Sequence, residues 1–309
     1  VITTIVDILI FAFIKYESHL PLYTFFCILT TVLTVISNLV YLPSVVTLKK
    51  PKQINLKQYL PMIGIMFIIS VLAAIYDKTD TFILGLIDPS KAAVGAYAVG
   101  MKAVEIVIGV IAGLSTVFIP RATAYYEAND ARQFKNINVY SANICLFITL
   151  PATALMICLA KPLTLLLGGT IGYVNSNMVL VSLASLMVTF SISLIIYTQI
   201  LIPAKREKTY LFVLLFGVIS NIAFSLIFGL VAFKENPAFG VALGTAITDA
   251  LILIGMISLT WKDSRHIILN WNNLKLLGVT FIIIGATLLL NNLIVIEEEE
   301  PLLKLVIIF

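Results

Sequence analysis

The chain has 309 residues, 60% of them hydrophobic and only 12% charged, with a net charge of +4. Mean hydropathy is +1.06. A soluble domain carries about a quarter charged residues. The composition therefore excludes an ordinary soluble fold, and the small net charge gives no reason to expect nucleic acid as a partner.

Runs of about 20 apolar residues mark membrane spans. They fall at 1–15 (partial), 22–48, 58–87, 92–119, 137–160, 174–202, 209–233, 238–261 and 274–294, with a last partial span from Pro301. The expected fold class is all-α: a polytopic helical bundle in the membrane. The segment ARQFKNINVY reads as an interfacial helix opening the fifth span. Pro151 falls in mid-span, whereas Pro120 and Pro203 read as helix terminators. The chain begins VITTIVDILIFAF and ends LLKLVIIF. Both ends read as cuts through spans, so a fragment of a longer protein is expected.

Lys and Arg set the orientation. The loops at 49–57, 121–135, 205–208 and 262–275 together hold thirteen. The alternate loops hold four, Lys15, Lys91, Lys161 and Lys234, and the acidic run Glu297–Glu300. The first set is therefore expected to be cytoplasmic. KKPKQINLK, at 49–57, is the best linker candidate.

Enzyme motifs are missing. The sequence has no HExxH, CxxC, GxSxG or GxxxxGK[ST] pattern, so no catalytic or metal-ligating residue is expected. Cys27, Cys145 and Cys158 sit singly in apolar runs and read as small buried hydrophobes.

The informative residues are the charges inside spans: Asp7, Asp77, Lys78, Asp80, Lys102, Glu105 and Asp249. Such residues are costly and face a bundle interior or a water-filled cavity. From helix rise, Asp80 lies about 11 Å from the outer end of its span, Asp7 about 12 Å, and Lys102 and Asp249 about 16 Å. Four spans thus place charge in the outer half of the membrane. Lys102 and Glu105 share a stripe with Gly95, Ala98, Gly109, Gly113 and Thr116, read as turned away from lipid. Val104, Val107, Ile111, Leu114 and Phe118 form the opposite side. Asp77 shares a face with Ser70, Ala73, Ala74 and Thr81. Asp77 and Asp80, three residues apart, need a cation or a proton between them. Lys102 is the expected cation, while Lys78 has no assigned partner. Asp249 continues a small-residue stripe of Ala242, Thr245 and Ala246. Two readings stay open: a buried ion-pair network that locks the helices, or a polar cavity for an ion or anionic substrate.

The run from Tyr76 through Glu127 resembles the start of the second half of bacterial polysaccharide flippases. These are the O-antigen and capsule exporters of the multidrug/oligosaccharidyl-lipid/polysaccharide (MATE-like) superfamily. The matching pieces are Asp80 to Gly85 with Ile83-Leu84-Gly85, Val94-Gly95-Ala96-Tyr97 and Pro120-Arg121. TQILIPAKREKTYLFVLLFGVISNI and FGVALGTAITD are similar to later family segments, and SNLVYLP to the helix before the interlobe linker. The resemblance covers roughly residues 22–260.

The resemblance implies two pseudo-symmetric six-helix bundles in a V. Residues 1–48 would end the first bundle, 49–57 link the two, 58–262 form the second bundle, and 263–309 begin an extra helix pair. It also implies a location in the bacterial inner membrane. The implied activity is flipping an undecaprenyl-diphosphate-linked oligosaccharide to the outer leaflet, driven by an ion gradient. On that reading Lys78 and Lys102 hold substrate, and Asp77, Asp80 and Glu105 carry the coupling ion, H+ or Na+, with no other cofactor. Partners would be the lipid-linked oligosaccharide, membrane lipids, a polysaccharide polymerase and a chain-length regulator. One departure is that this hairpin is as acidic as it is basic, so diphosphate binding would rest on the first bundle. The alternatives are a cation-coupled multidrug antiporter with an acidic, aromatic lumen, a membrane polymerase or glycosyltransferase, and a structural subunit.

Overall fold

A computed structural model describes residues 20–45, 56–168, 176–273, 275–276, 278–280, 282 and 285. The expectations for Asp7, Lys15, most of the 49–57 linker, Glu297–Glu300 and the two partial spans lie outside the described residues.

The described elements are α1 (Leu20–Val45), α2 (Leu56–Ile87), α3 (Ala92–Glu127), α4 (Ala131–Cys158), α5 (Ala160–Gly168), α6 (Ser176–Ile195), α7 (Glu207–Ile227) and α8 (Pro237–Ile268). α6 continues into a π turn at Ile196–Leu201, and α7 into another at Phe228–Ala232. Among the described residues, seven helices are long and apolar enough to cross a membrane. Contacts divide the chain into two units, Val1–Tyr59 and Leu60–Phe309. In the first, α1 is described on its own. The second holds α2 from Leu60 and the helices that follow it.

Local chemistry sets the helix boundaries. Asp130 precedes α4 and its carboxylate accepts from the Gln133 backbone N–H at 3.0 Å. Asn236 does the same for Phe239 at 3.2 Å, with Pro237 in the first turn of α8. Between α2 and α3, Asp88 accepts from the backbone N–H groups of Ser90 at 3.0 Å and Ala93 at 2.8 Å. Lys91 there sits at φ 58°. Pro203 lies in the turn after the π segment, as expected of a terminator. Pro120 does not terminate: α3 runs on to Glu127. The segment ARQFKNINVY is no separate interfacial helix but the opening turns of α4.

Two apolar clusters form the core of the second unit. One gathers Leu84, Val104, Leu183, Met187 and Val241. The other gathers Ile111, Cys145, Ile195, Ile200 and Met256. Lipid is as apolar as leucine, so these helices are held by close packing and interhelical hydrogen bonds rather than by exclusion of water. Ser141 Oγ donates to Gln199 Oε1 at 2.5 Å, and the hydroxyls of Ser115 and Thr198 share a bond at 2.7 Å. Large side chains such as Phe67, Phe82, Ile106 and Val117 remain exposed, as a lipid-facing surface requires.

Gly240 and Gly244 set α8 close against the backbone of the π turn and of α7. A Cβ on Gly240 would stand 2.5 Å from the Phe228 carbonyl oxygen. On Gly244 it would stand 3.1 Å from the Phe224 carbonyl carbon and the Ser225 nitrogen. This GVALG stretch is a small-xxx-small contact that only glycine permits. It brings Ser225 and Thr245 against the same neighbour, described next.

A buried carboxylate cavity

Three polar pairs, each four residues apart, converge inside the second unit. They are Tyr76 and Asp80 on α2, Asn221 and Ser225 on α7, and Thr245 and Asp249 on α8. Side chains four apart share one helix face, so each pair points one way. Tyr97 of α3 completes the group.

Asp80 is buried, with 4% of its surface exposed. The Tyr97 hydroxyl donates to its Oδ2. Thr245 Oγ1 donates to the same oxygen at 2.7 Å, and Ser225 Oγ to Oδ1 at 3.4 Å. Asn221 Nδ2 donates to Thr245 Oγ1 at 3.1 Å. The Asn221 Oδ1 atom is buried and has no hydrogen-bond partner. Asp249, also buried, accepts from the Tyr76 hydroxyl at 2.6 Å. Tyr76 to Asp249 and Asp80 to Thr245 form an antiparallel ladder between α2 and α8. The two carboxylates line one cavity of about 370 Å³. Tyr210, Phe190, Met101 and Ile108 also line it. On α8 the cavity residues Thr245 and Asp249 fall between the positions of the two apolar clusters. No basic side chain among the described residues pairs with either carboxylate.

The expected site residues separate into two groups. Asp80 and Asp249 come together in the cavity. Asp77, Lys78, Lys102 and Glu105 lie on the open face of α2 and α3. Lys78 Nζ stands 2.6 Å from Asp77 Oδ2, which supplies the partner that the sequence left unassigned. Lys102 Nζ stands 3.0 Å from Glu105 Oε2. Lys102 is therefore not the cation between Asp77 and Asp80. Asp80 turns inward to hydroxyls, and Glu105, one turn from Lys102, satisfies the lysine. Asp77 and Glu105 do reach the rim of the cavity.

On α3 the apolar side opposite the stripe, and not the stripe itself, is packed against other helices. Val104 and Ile111 are fully buried, whereas Ala98, Lys102, Glu105, Gly109, Gly113 and Thr116 are exposed. A Cβ on Gly109 or Gly113 would meet nothing within 4 Å. Among the described residues the polar stripe is an open surface and not a helix contact.

Sequence reasoning missed Tyr76, Asn221 and Ser225 as site residues. It treated Tyr97 and Thr245 as fold motifs or packing. The available signal was the spacing: Asn221 and Ser225 are a four-residue polar pair on an otherwise apolar helix.

A bundle of apolar helices around a buried polar cavity, with a charged open face beside it, defines a multi-pass membrane protein of the transporter class. The MatE family model matches residues 57–227, and the chain belongs to the MatE family. Among solved structures it is similar to the lipid II flippase MurJ in an inward closed conformation, with a TM-score of 0.66 and 20% identity. That likeness covers 91% of this chain and 57% of the MurJ chain, so the chain spans little more than half the length of its structural relative. No curated protein matches the sequence. The MATE-like fold expected from the sequence is thus shown.

Proposed function

We propose that the protein flips a lipid-linked oligosaccharide, carried on undecaprenyl diphosphate, from the inner to the outer leaflet of the bacterial inner membrane. A cation gradient drives it. The observation that carries the reading is the buried cluster of Asp80 and Asp249. Two carboxylates in one buried cavity without a basic partner call for a proton or a small cation. The hydroxyls of Tyr97, Ser225 and Thr245 surround Asp80 with oxygen, which suits H+ or Na+. Among the expected ion-pathway residues, Asp80 and Asp249 take the coupling ion. Asp77 and Glu105 stand at the mouth. Lys78 and Lys102, on the open face, offer charge to diphosphate. The printed name of MurJ, a lipid II flippase, supports a lipid-linked substrate.

Division of labour follows from size. A cavity of about 370 Å³ lies near the lower end of small-ligand sites. It suits an ion or a small cation, and the oligosaccharide belongs on the open face. The same cavity favours one second reading. Its acids and its aromatic lining of Tyr76, Tyr97, Phe190 and Tyr210 would also suit a drug–cation antiporter.

Complementation separates the two. In a strain lacking the gene, the wild-type protein restores surface polysaccharide and Asp80→Asn does not. Restored drug efflux without restored polysaccharide would establish the antiporter instead. Orientation is tested by Lys205→Cys, which should be labelled only from the cytoplasm. Polymerase and chain-length regulator remain proposed partners, to be sought by crosslinking in the same strain.

A further inference from the structure

A second polar pocket opens at the far end of the bundle, where residues 125–143 meet residues 266–271. Its volume is about 610 Å³, and Gln133, Lys135, Asn136, His266, Asn270 and Trp271 line it. Lys135 and Arg265 stand within electrostatic range of His266, with Asp263 the acid that faces it. Asn270 Nδ2 donates to Asn143 Oδ1 at 3.3 Å and ties the turn after α8 to α4. Trp271 is exposed. An exposed Trp at a helix end is the usual mark of a membrane interface.

The pocket does not stop at Tyr140 and Asn143. Those two residues also border a groove of about 750 Å³, lined by Ile144, Phe147, Ile148, Leu276 and Val279, with Lys275 beside them. Phe147 and Val279 are exposed along it. A cationic, hydrogen-bonding pocket thus adjoins an apolar groove on the lipid-facing side. That is the amphipathic shape of a glycerophospholipid, and cationic pockets between membrane helices on the cytoplasmic side hold anionic headgroups.

We propose that this is a binding site for one anionic phospholipid of the cytoplasmic leaflet. Its phosphate sits between Lys135 and His266, and an acyl chain lies along Ile144, Phe147 and Leu276. The leaflet rests on the orientation proposed above. The site itself does not depend on the transported substrate. A free phosphate would use the pocket but leave the groove without purpose, so the lipid is the occupant.

The chain has two tryptophans; Trp261→Phe, with any tryptophan in the remainder of the full-length protein also replaced by Phe, leaves Trp271 as the sole reporter in the pocket. The full-length protein is reconstituted in phosphatidylcholine nanodiscs. Acyl-brominated phosphatidylglycerol or acyl-brominated phosphatidylcholine is then added at equal mole fraction. Phosphatidylglycerol should quench Trp271 at the lower lipid concentration. Lys135→Ala with His266→Ala should weaken that preference by about fivefold or more, the usual contribution of a single basic residue near anionic lipid. Asn136→Asp, at an exposed position, should weaken it with no change in packing. Soluble glycerol phosphate should not relieve the quenching. Equal quenching by both lipids, an unchanged preference in Asn136→Asp, or displacement by glycerol phosphate would each overturn the proposal. The readout is lipid selectivity, so failure of the flippase reading leaves it intact.

Discussion

Asp80→Asn isolates the charge in the cavity from the packing around it. The Asn carbonyl oxygen can take the place of Oδ2 and keep the Tyr97 and Thr245 hydroxyl bonds. Its amide then faces Ser225, whose hydroxyl can turn to accept. Two bonds fall from charged to neutral strength, a loss of about 1 kcal/mol each. Removing the desolvation cost of the carboxylate offsets part of that loss. Folding stability should therefore change by less than about 2 kcal/mol. Cation binding should disappear, because a ligand that binds only the folded state raises its melting temperature with concentration. The assay is the melting temperature of the purified protein across Na+ concentration and across pH. Near neutral pH wild type should respond to one of the two, and Asp80→Asn should lose that response. Asp77→Asn should behave as wild type, because Asp77 is exposed and paired with Lys78. An Asp80→Asn protein that still responds like wild type would refute the reasoning. So would a response lost in Asp77→Asn.

Lys102 pairs with Glu105 in the open, where an ion pair contributes about 0–1 kcal/mol. Lys102→Ala should leave the protein level unchanged while polysaccharide export falls about tenfold, as for a lost charged hydrogen bond; a fall in protein level instead would make the pair structural. Gly244→Val should cost about 1–3 kcal/mol by overpacking and move Ser225 away from Asp80, lowering both the melting temperature and the cation response. Gly255→Ala, whose new Cβ would stand 3.5 Å from Val213, should be tolerated. Asp88 lies in the loop before α3, where its bonds to Ser90 and the Ala93 backbone hold its pKa below the ordinary 3.8. A lowered folded-state pKa stabilises above the unfolded value and is lost as pH falls through the folded one. Hydrogen-exchange protection at Ala93 should therefore persist near neutrality and fall below pH 3.8, and in Asp88→Asn it should show no such step.

The helices were legible because a bilayer demands long apolar runs. Each described long span falls on a helix at its expected place, although α3 and α8 end later and α4 starts earlier than the apolar runs. α5 has nine residues, too few to register as a span. Pro120 is accommodated because α3 carries it on an exposed face with room for the ring. Facing was harder to read. In lipid, a stripe of small and polar residues can line either a helix contact or an open surface, and bulky apolar residues pack equally well against protein. Val104 and Ile111 took the packed side of α3, and the glycine stripe stayed open. Asp77 and Asp80 are three residues apart, about 60° around a helix, and that angle separates an exposed ion pair from a buried carboxylate. The partners of Asp80 come from α3, α7 and α8, up to 165 residues away. No local spacing encodes such a meeting, although the three polar pairs that make it were each visible.

The central claim is that a cation gradient acting through the Asp80 cavity drives a lipid-linked oligosaccharide across the bilayer. Proteoliposomes of the full-length protein, loaded with undecaprenyl-diphosphate oligosaccharide, test it when an imposed Na+ or H+ gradient is switched on. The measurement is the rate at which the sugar becomes accessible to a lectin on the opposite face. Appearance should depend on the gradient in wild type and stay at background in Asp80→Asn. Equal rates with and without either gradient, or an Asp80→Asn rate that matches wild type, would contradict it.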